Sequence, residues 1–184
     1  MKITMLDASK NVCGWMAAAA FLSLTSISAL HAQDTRESAA AGLRAVDPKE
    51  MDPDYKVDAK FAQKLVDEAL AKHPEVILLA IHAGAPKYDI IASNFGRIGK
   101  LGDEDDLRVI TKGTKNLELN KAGTHFEDEL PLKTKGGKRI GAIGVVFNYK
   151  PGGDKAALDK IANEIQKEMQ AQITSSKTLF GPAN

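Results

Sequence analysis

A chain of 184 residues carries 25 lysines and arginines against 24 aspartates and glutamates, for a formal net charge of +1. That length fits one domain plus a short extension, and a balance this even, with lysines alternating with acids, excludes the clustered basic face that nucleic-acid binding requires. The one cysteine, Cys13, lies in the atypical first 32 residues, so the rest of the chain has no disulfide, thiolate zinc site or cysteine nucleophile.

Residues 1–32 read as a secretory signal peptide. Lys2 and Lys10 precede an apolar run from Gly14 to Leu30, which closes on Ala29-Leu30-His31-Ala32. Ser23, Thr25, Ser26 and Ser28 dilute the apolar half and argue against a retained anchor. The expectation is a periplasmic protein, cleaved near Ala32, with no membrane insertion thereafter. Loss of Lys2, Lys10 and Asp7 leaves it formally neutral. Residues 33–54 have no sustained apolar period, and the Asp47-Pro48 and Asp52-Pro53 pairs mark turns, so this stretch is expected to be a flexible leader.

From Val57 the pattern turns helical: Phe61, Leu65 and Ala69 form a stripe broadened by Ala62, Val66 and Leu70. Pro74 stops it, because the residue before a proline avoids the helical region. Val76 to Ile81 is a continuous apolar run of strand length, hence a strand covered on both faces. A turn at Gly84-Ala85-Pro86-Lys87 returns the chain as a second strand over Tyr88 to Ser93. After the Gly96 to Gly102 loop, Asp103 is suited to cap a short helix, with Asp106 at its third position and Gly113 able to end it.

The remaining sheet segments alternate. Leu117 and Leu119 oppose Asn116 and Glu118, while Phe126, Leu130 and Leu132 oppose His125, Glu127 and Glu129. Gly136-Gly137 marks a hairpin. Ile140 to Tyr149 is the longest strand and the candidate for the sheet's centre. Beyond Pro151-Gly152-Gly153, Leu158, Ile161, Ala162, Ile165, Met169 and Ile173 mark one narrow helical face, which packs either on the sheet or on a second copy of the chain. Residues 175–184 are expected to fray. The predicted fold is α+β: a PAS-like five-stranded antiparallel sheet flanked by N- and C-terminal helices, spanning residues 55–174.

Three stretches, Pro74 to His82, Ile90 to Asn94 with Ile98-Gly99-Lys100, and Lys138 to Phe147, resemble in content and order the single Cache domain, an extracytoplasmic PAS-like sensor family. The resemblance covers about residues 55–150. It implies a site over the sheet for a small carboxylate or amino acid, and a signal passed on through a following membrane helix. The sequence has no such helix after residue 32, and no kinase, cyclase or chemotaxis portion, so it implies a free binding module whose output needs a partner.

Arg97 is the first candidate for ligand contact: it sits in a glycine-flanked loop after a sheet edge, and a guanidinium can hold a carboxylate through two parallel hydrogen bonds. Lys100, Tyr88, Ser93, Asn94 and His82 complete the candidate set. Together they point to a small polar or anionic ligand between the sheet and the Asn94 to Lys112 segment. His82, His125, Glu127 and Asp128 lack the spacing of a metal site. Gly96-Arg97-Ile98-Gly99-Lys100 departs from a phosphate loop by its two-residue spacing and the following Leu101, and Asp103 to Asp106 lacks a calcium loop's central glycine. No serine elbow or spaced acid pair nominates an enzyme, and no cofactor is indicated. The alternative is an interaction module that docks to a membrane-bound partner, or forms a homodimer, through the Leu158 to Ile173 helix.

Overall fold

The computed structural model describes Arg36, Leu43 and residues 46–183; the expected signal peptide and most of the leader lie outside the described residues. Five strands, Val76–Ala83 (β1), Ile90–Ser93 (β2), Asn116–Leu119 (β3), His125–Lys133 (β4) and Arg139–Asn148 (β5), are interleaved with helices Lys60–Lys72 (α1), Glu104–Lys112 (α2) and Lys155–Gln172 (α3). All neighbours are antiparallel, in the order β2-β1-β5-β4-β3. The longest strand is therefore the central one, and the arrangement is the expected PAS-like α+β fold.

Strand alternation sorts the two faces of the sheet. On one, Ile143, Val145 and Phe147 of β5, Phe126, Leu130 and Leu132 of β4, and Leu79 and Ile81 of β1 pack against Leu65 and Val66 of α1 and Ala162, Ile165 and Met169 of α3. Each such side chain removed from water contributes roughly 1.5–3 kcal/mol. Leu158 and Ile161 also lie against this core, so the whole α3 stripe is used on the sheet. The stripe that suggested docking or dimerisation thus lies against the core of this domain.

The opposite face is only partly covered. Leu78, Ala80, Ile90 and Val146 form a small cluster, and Ala142 packs under Val109 and Ile110 of α2. A register shift between Val76 and Leu78 on β1 is followed by Leu78, Ala80 and His82 on this side, with Leu79, Ile81 and Ala83 on the helical side.

Two expectations change at the ends. Residues 175–183 do not fray: Ser176–Phe180 is a 3-10 helix with Leu179 fully buried in the main core. Phe61 N donates to Gly181 O at 3.1 Å and Lys135 N to Ile173 O at 2.7 Å. A single buried leucine in five residues has no period to read, so only its tertiary neighbours reveal it. The leader is likewise tied down where it is described. Asp52 N donates to Gly99 O and Leu101 N to Glu50 O, both at 2.8 Å, and buried Asp52 accepts from Lys87 Nζ at 2.6 Å. Arg36 Nε donates to Val76 O at 2.7 Å. No helix among the described residues is long and apolar enough to cross a membrane.

Candidate functional site

A cavity of about 450 Å³ lies on the sheet face that α1 and α3 leave uncovered. Its apolar floor is Leu78, Ala80, Ile90, Gly144 and Val146, and one wall is the polar row of β4, His125, Glu127 and Glu129. Glu118 and Asn120 extend that wall from β3 and its turn, while Arg97, Lys100, Asp103, Asp105 and Asp106 line it from the β2–α2 segment. The cavity exists because β5 carries small residues here. Gly144 has no side chain to fill the floor, and a Cβ built there would meet Glu127 Oε1 at 3.1 Å.

The α2 end is held by its cap. Asp103 Oδ1 accepts from Asp105 N and Asp106 N, each at 3.2 Å, while Asp106 Oδ2 accepts from Asp103 N at 2.9 Å. This reciprocal box satisfies the first free amides of the helix, and Gly113 closes the other end at φ 75°. Lys100 Nζ donates to Asp103 Oδ2 at 3.2 Å, and Arg108 pairs with Asp105 at 2.6 Å. Asp103→Ala is expected to cost about 1 kcal/mol through the lost cap, lowering Tm by about 2–4 °C in a thermal melt.

His82 is fixed on both ring nitrogens. Nδ1 lies 3.3 Å from the Tyr88 carbonyl oxygen, which only accepts, so Nδ1 carries a hydrogen. Nε2 lies 3.3 Å from Asp106 Oδ1. Burial lowers the imidazole pKa against the opposing pull of Asp106, and burial raises that of Asp106 against the pull of His82. The imidazole and the carboxyl therefore form one buried, interacting pair.

Glu127 and Glu129 of β4 are also raised. Burial pushes Glu129 up to about 9, with Asp106 and Glu127 adding to it. Burial also pushes Glu127 up to about 7, against the attraction of Arg97. Glu129 is 9% exposed, and its Oε2 is engaged by Asn116 Nδ2 at 3.3 Å.

Of the six residues expected to contact ligand, the structure brings Arg97, Lys100 and His82 to the cavity and keeps Tyr88, Ser93 and Asn94 out of its lining. Asn94 braces β1, its Oδ1 accepting from Leu79 N at 2.9 Å and its Nδ2 donating to Ile77 O at 3.0 Å. Ser93 Oγ accepts from Phe95 N at 3.3 Å. Tyr88, expected to open β2, has φ 51° and precedes the strand; its side chain packs beside Val109, Ile110 and Ala142.

Glu118, Glu127, Glu129 and Asp106 also line the cavity, and the sequence does not nominate them as ligand contacts. The signal was the polar alternation of β4 beside a central strand with glycine at 141 and 144, a pattern of a wet cavity rather than a solvated face. Among the described residues, no group of three or more histidines and acids is placed to hold a metal ion.

No family model and no curated protein matches the chain. Several solved structures are similar. The nlh2 GAF domain of A. aeolicus, in an inactive state, is 16% identical over 85% of this chain and 96% of its own, at a TM-score of 0.47. The inducer-binding domain of the PobR transcription factor from Acinetobacter, complexed with 3-hydroxybenzoic acid, is 8% identical over 61% and 97%, at 0.44. A type II free methionine-R-sulfoxide reductase from Thermoplasma acidophilum is 18% identical over 62% and 92%, at 0.41. The functional reading comes from the cavity itself.

Proposed function

We propose that this protein is a non-catalytic, sensor-type module that binds one small molecule over the open face of its sheet. The observation that carries the reading is the 450 Å³ cavity between β1, β5, β4 and the Arg97 to Asp106 segment. It combines an apolar floor with converging polar groups, the general make-up of a small-molecule site. Arg97, Lys100 and His82 belong to it. His82 and Asp106 also connect the cavity to the start of α2, so a ligand that disturbs their contact would reach that helix. A periplasmic location, the Cache resemblance and a membrane-bound partner for output are parts of the same proposal, each motivated by the sequence.

The test is a thermal-shift screen of the purified protein against amino acids, carboxylates, amines, polyols and purines. A compound present at about 100 times its Kd adds about 2.7 kcal/mol, roughly 5–10 °C for a domain of this size. Gly144→Val, which places a side chain in the cavity floor, is expected to abolish that shift while the variant remains folded. A shift that survives Gly144→Val undiminished would place binding elsewhere and sink the proposal, as would silence from every class.

A further inference from the structure

The cavity's charge is inverted relative to an anion site. Lys100 is already committed to Asp103, and Arg97 faces Glu127. Against them stand two acids at alternate positions on β4, Glu127 and Glu129, which project from the same face of the strand. On β3, Glu118 is directly opposite Glu127, a like-charge cross-strand pair that is unfavourable unless something neutralises it. The remaining neighbours do not supply the charge. Asn116 is neutral, Asp103 is an acid held by Lys100, Asp106 is an acid in contact with His82, and His125, next on the same face of β4, is engaged by Asn120. Glu129 is nine-tenths buried, with Oε2 engaged by Asn116, and Glu127 is half-buried beside Arg97.

We infer that the Glu127 and Glu129 end of the cavity is the subsite for the ammonium group of a small organic cation, an inference that rests on the cavity's being a ligand site. An ammonium offers three donors and no acceptor, matching a pair of carboxyl groups that only accept when ionised and of which Glu129 has one oxygen engaged, by Asn116. Gly144 is what opens the approach, since a Cβ there would crowd Glu127 Oε1. Without a ligand, burial favours the protonated form of both carboxyls; a bound cation takes over the neutralising role and the protons leave. Binding and proton release are then linked, so affinity rises with pH, approaching tenfold per pH unit for each proton released. An alkylammonium, with a pKa near that of lysine at about 10.4, stays charged throughout this range. An anionic ligand has the opposite sign and tightens as pH falls.

The experiment is isothermal titration calorimetry of the purified protein with 1,4-diaminobutane, 1,4-butanediol and butanedioate, three four-carbon chains with positive, neutral and negative ends. Each is run at pH 6.5 and 8 in two buffers of different ionisation enthalpy. The expected result is binding of the diamine alone, at least tenfold tighter at pH 8, with a buffer-dependent enthalpy that reports proton release. Glu127→Gln and Glu129→Gln keep the shape and the neutral charge of the protonated side chains, so both fold at pH 6.5. Each weakens the diamine at least tenfold and flattens its pH dependence. Binding of the diol or of butanedioate, lost in Gly144→Val, with no binding of the diamine, overturns the ammonium subsite while leaving the cavity a ligand site. Diamine binding that both glutamine variants retain overturns it as well, as does failure of all three probes; only silence across the broader screen removes the ligand site itself.

Discussion

Asp128→Asn is expected to stabilise the protein at pH 8.5 by a few kcal/mol and to have little effect near pH 4. Asp128 lies on the helical face of β4, opposite Val145 and Leu117. It is fully buried, and no basic side chain or backbone amide is hydrogen-bonded to either of its oxygens among the described residues. Its acidic neighbour is Asp159 of α3, whose own carboxylate is held by Lys115. Burial, with Asp159 adding to it, pushes Asp128 up to about 8, against about 3.9 in an unfolded chain.

The folded state therefore keeps a proton that the unfolded chain gives up above about pH 4. The associated stability is complete below the unfolded value and is lost as pH rises through the folded one. A shift of this size corresponds to an effect on the order of 5 kcal/mol between those limits. Glu127 and Glu129, also raised, act with the same sign, so the wild-type protein should melt at a higher temperature at pH 5 than at pH 8.5. Asparagine is the neutral isostere and removes the Asp128 share of that slope. Urea denaturation at the two pH values decides it: an Asp128→Asn protein as pH-dependent as wild type, or less stable at pH 8.5, would mean that Asp128 is ionised in the fold.

Gly141→Ala should be among the most damaging single-methyl additions in the chain. Gly141 sits on the central strand, paired with Ala83 of β1 and Leu132 of β4. A Cβ built there would lie 2.0 Å from the carbonyl oxygen of His82. That oxygen belongs to the backbone of the adjacent strand and cannot rotate away as a side chain would, so β1 and β5 must separate locally. Overpacking of a well-filled interior commonly costs 1–3 kcal/mol, and a backbone clash in the middle of a sheet belongs at or above the upper end. A loss of about 3 kcal/mol or more, some 6–12 °C in Tm, is expected. Gly136→Ala is the control. A Cβ at that hairpin position meets only Thr134 Oγ1, at 3.8 Å, and should change stability by less than about 0.5 kcal/mol. Equal losses at the two positions would remove the steric explanation.

Much of the fold was legible because it is written in local patterns. The stripe of α1 and the narrow stripe of α3 have helical period, and β4 and β5 alternate. Asp103 and Gly113 carry the chemistry of helix ends, and Gly136-Gly137 that of a hairpin. Each signal needs only residues within a few positions of one another. The site was legible in part for the same reason. The Gly96 to Gly102 loop announced itself by composition, and Arg97 and Lys100 do reach the cavity. Ser93, Asn94 and Tyr88 lie outside the cavity's lining, since polar residues at strand ends serve the backbone as readily as a ligand. Only tertiary neighbours separate the two uses, as with the hydrogen bonds of Asn94 to Leu79 and Ile77.

The amino-acid sequence by itself determined that this chain makes one α+β domain, neutral apart from its first 32 residues, and which face of each helix and strand is apolar. Periodicity and capping report the preferences of the backbone directly. The tertiary structure decided that Glu127 and Glu129 look into a cavity rather than into solvent, that Asp128 is sealed beneath α3, and that Leu179 pins the end of the chain. These depend on which strand lies beside which, and on Gly144 leaving space on β5, and contacts between residues this far apart in sequence leave no local period. The charge of the cavity, and with it the kind of ligand it suits, therefore became readable only once β3, β4 and the start of α2 stood side by side.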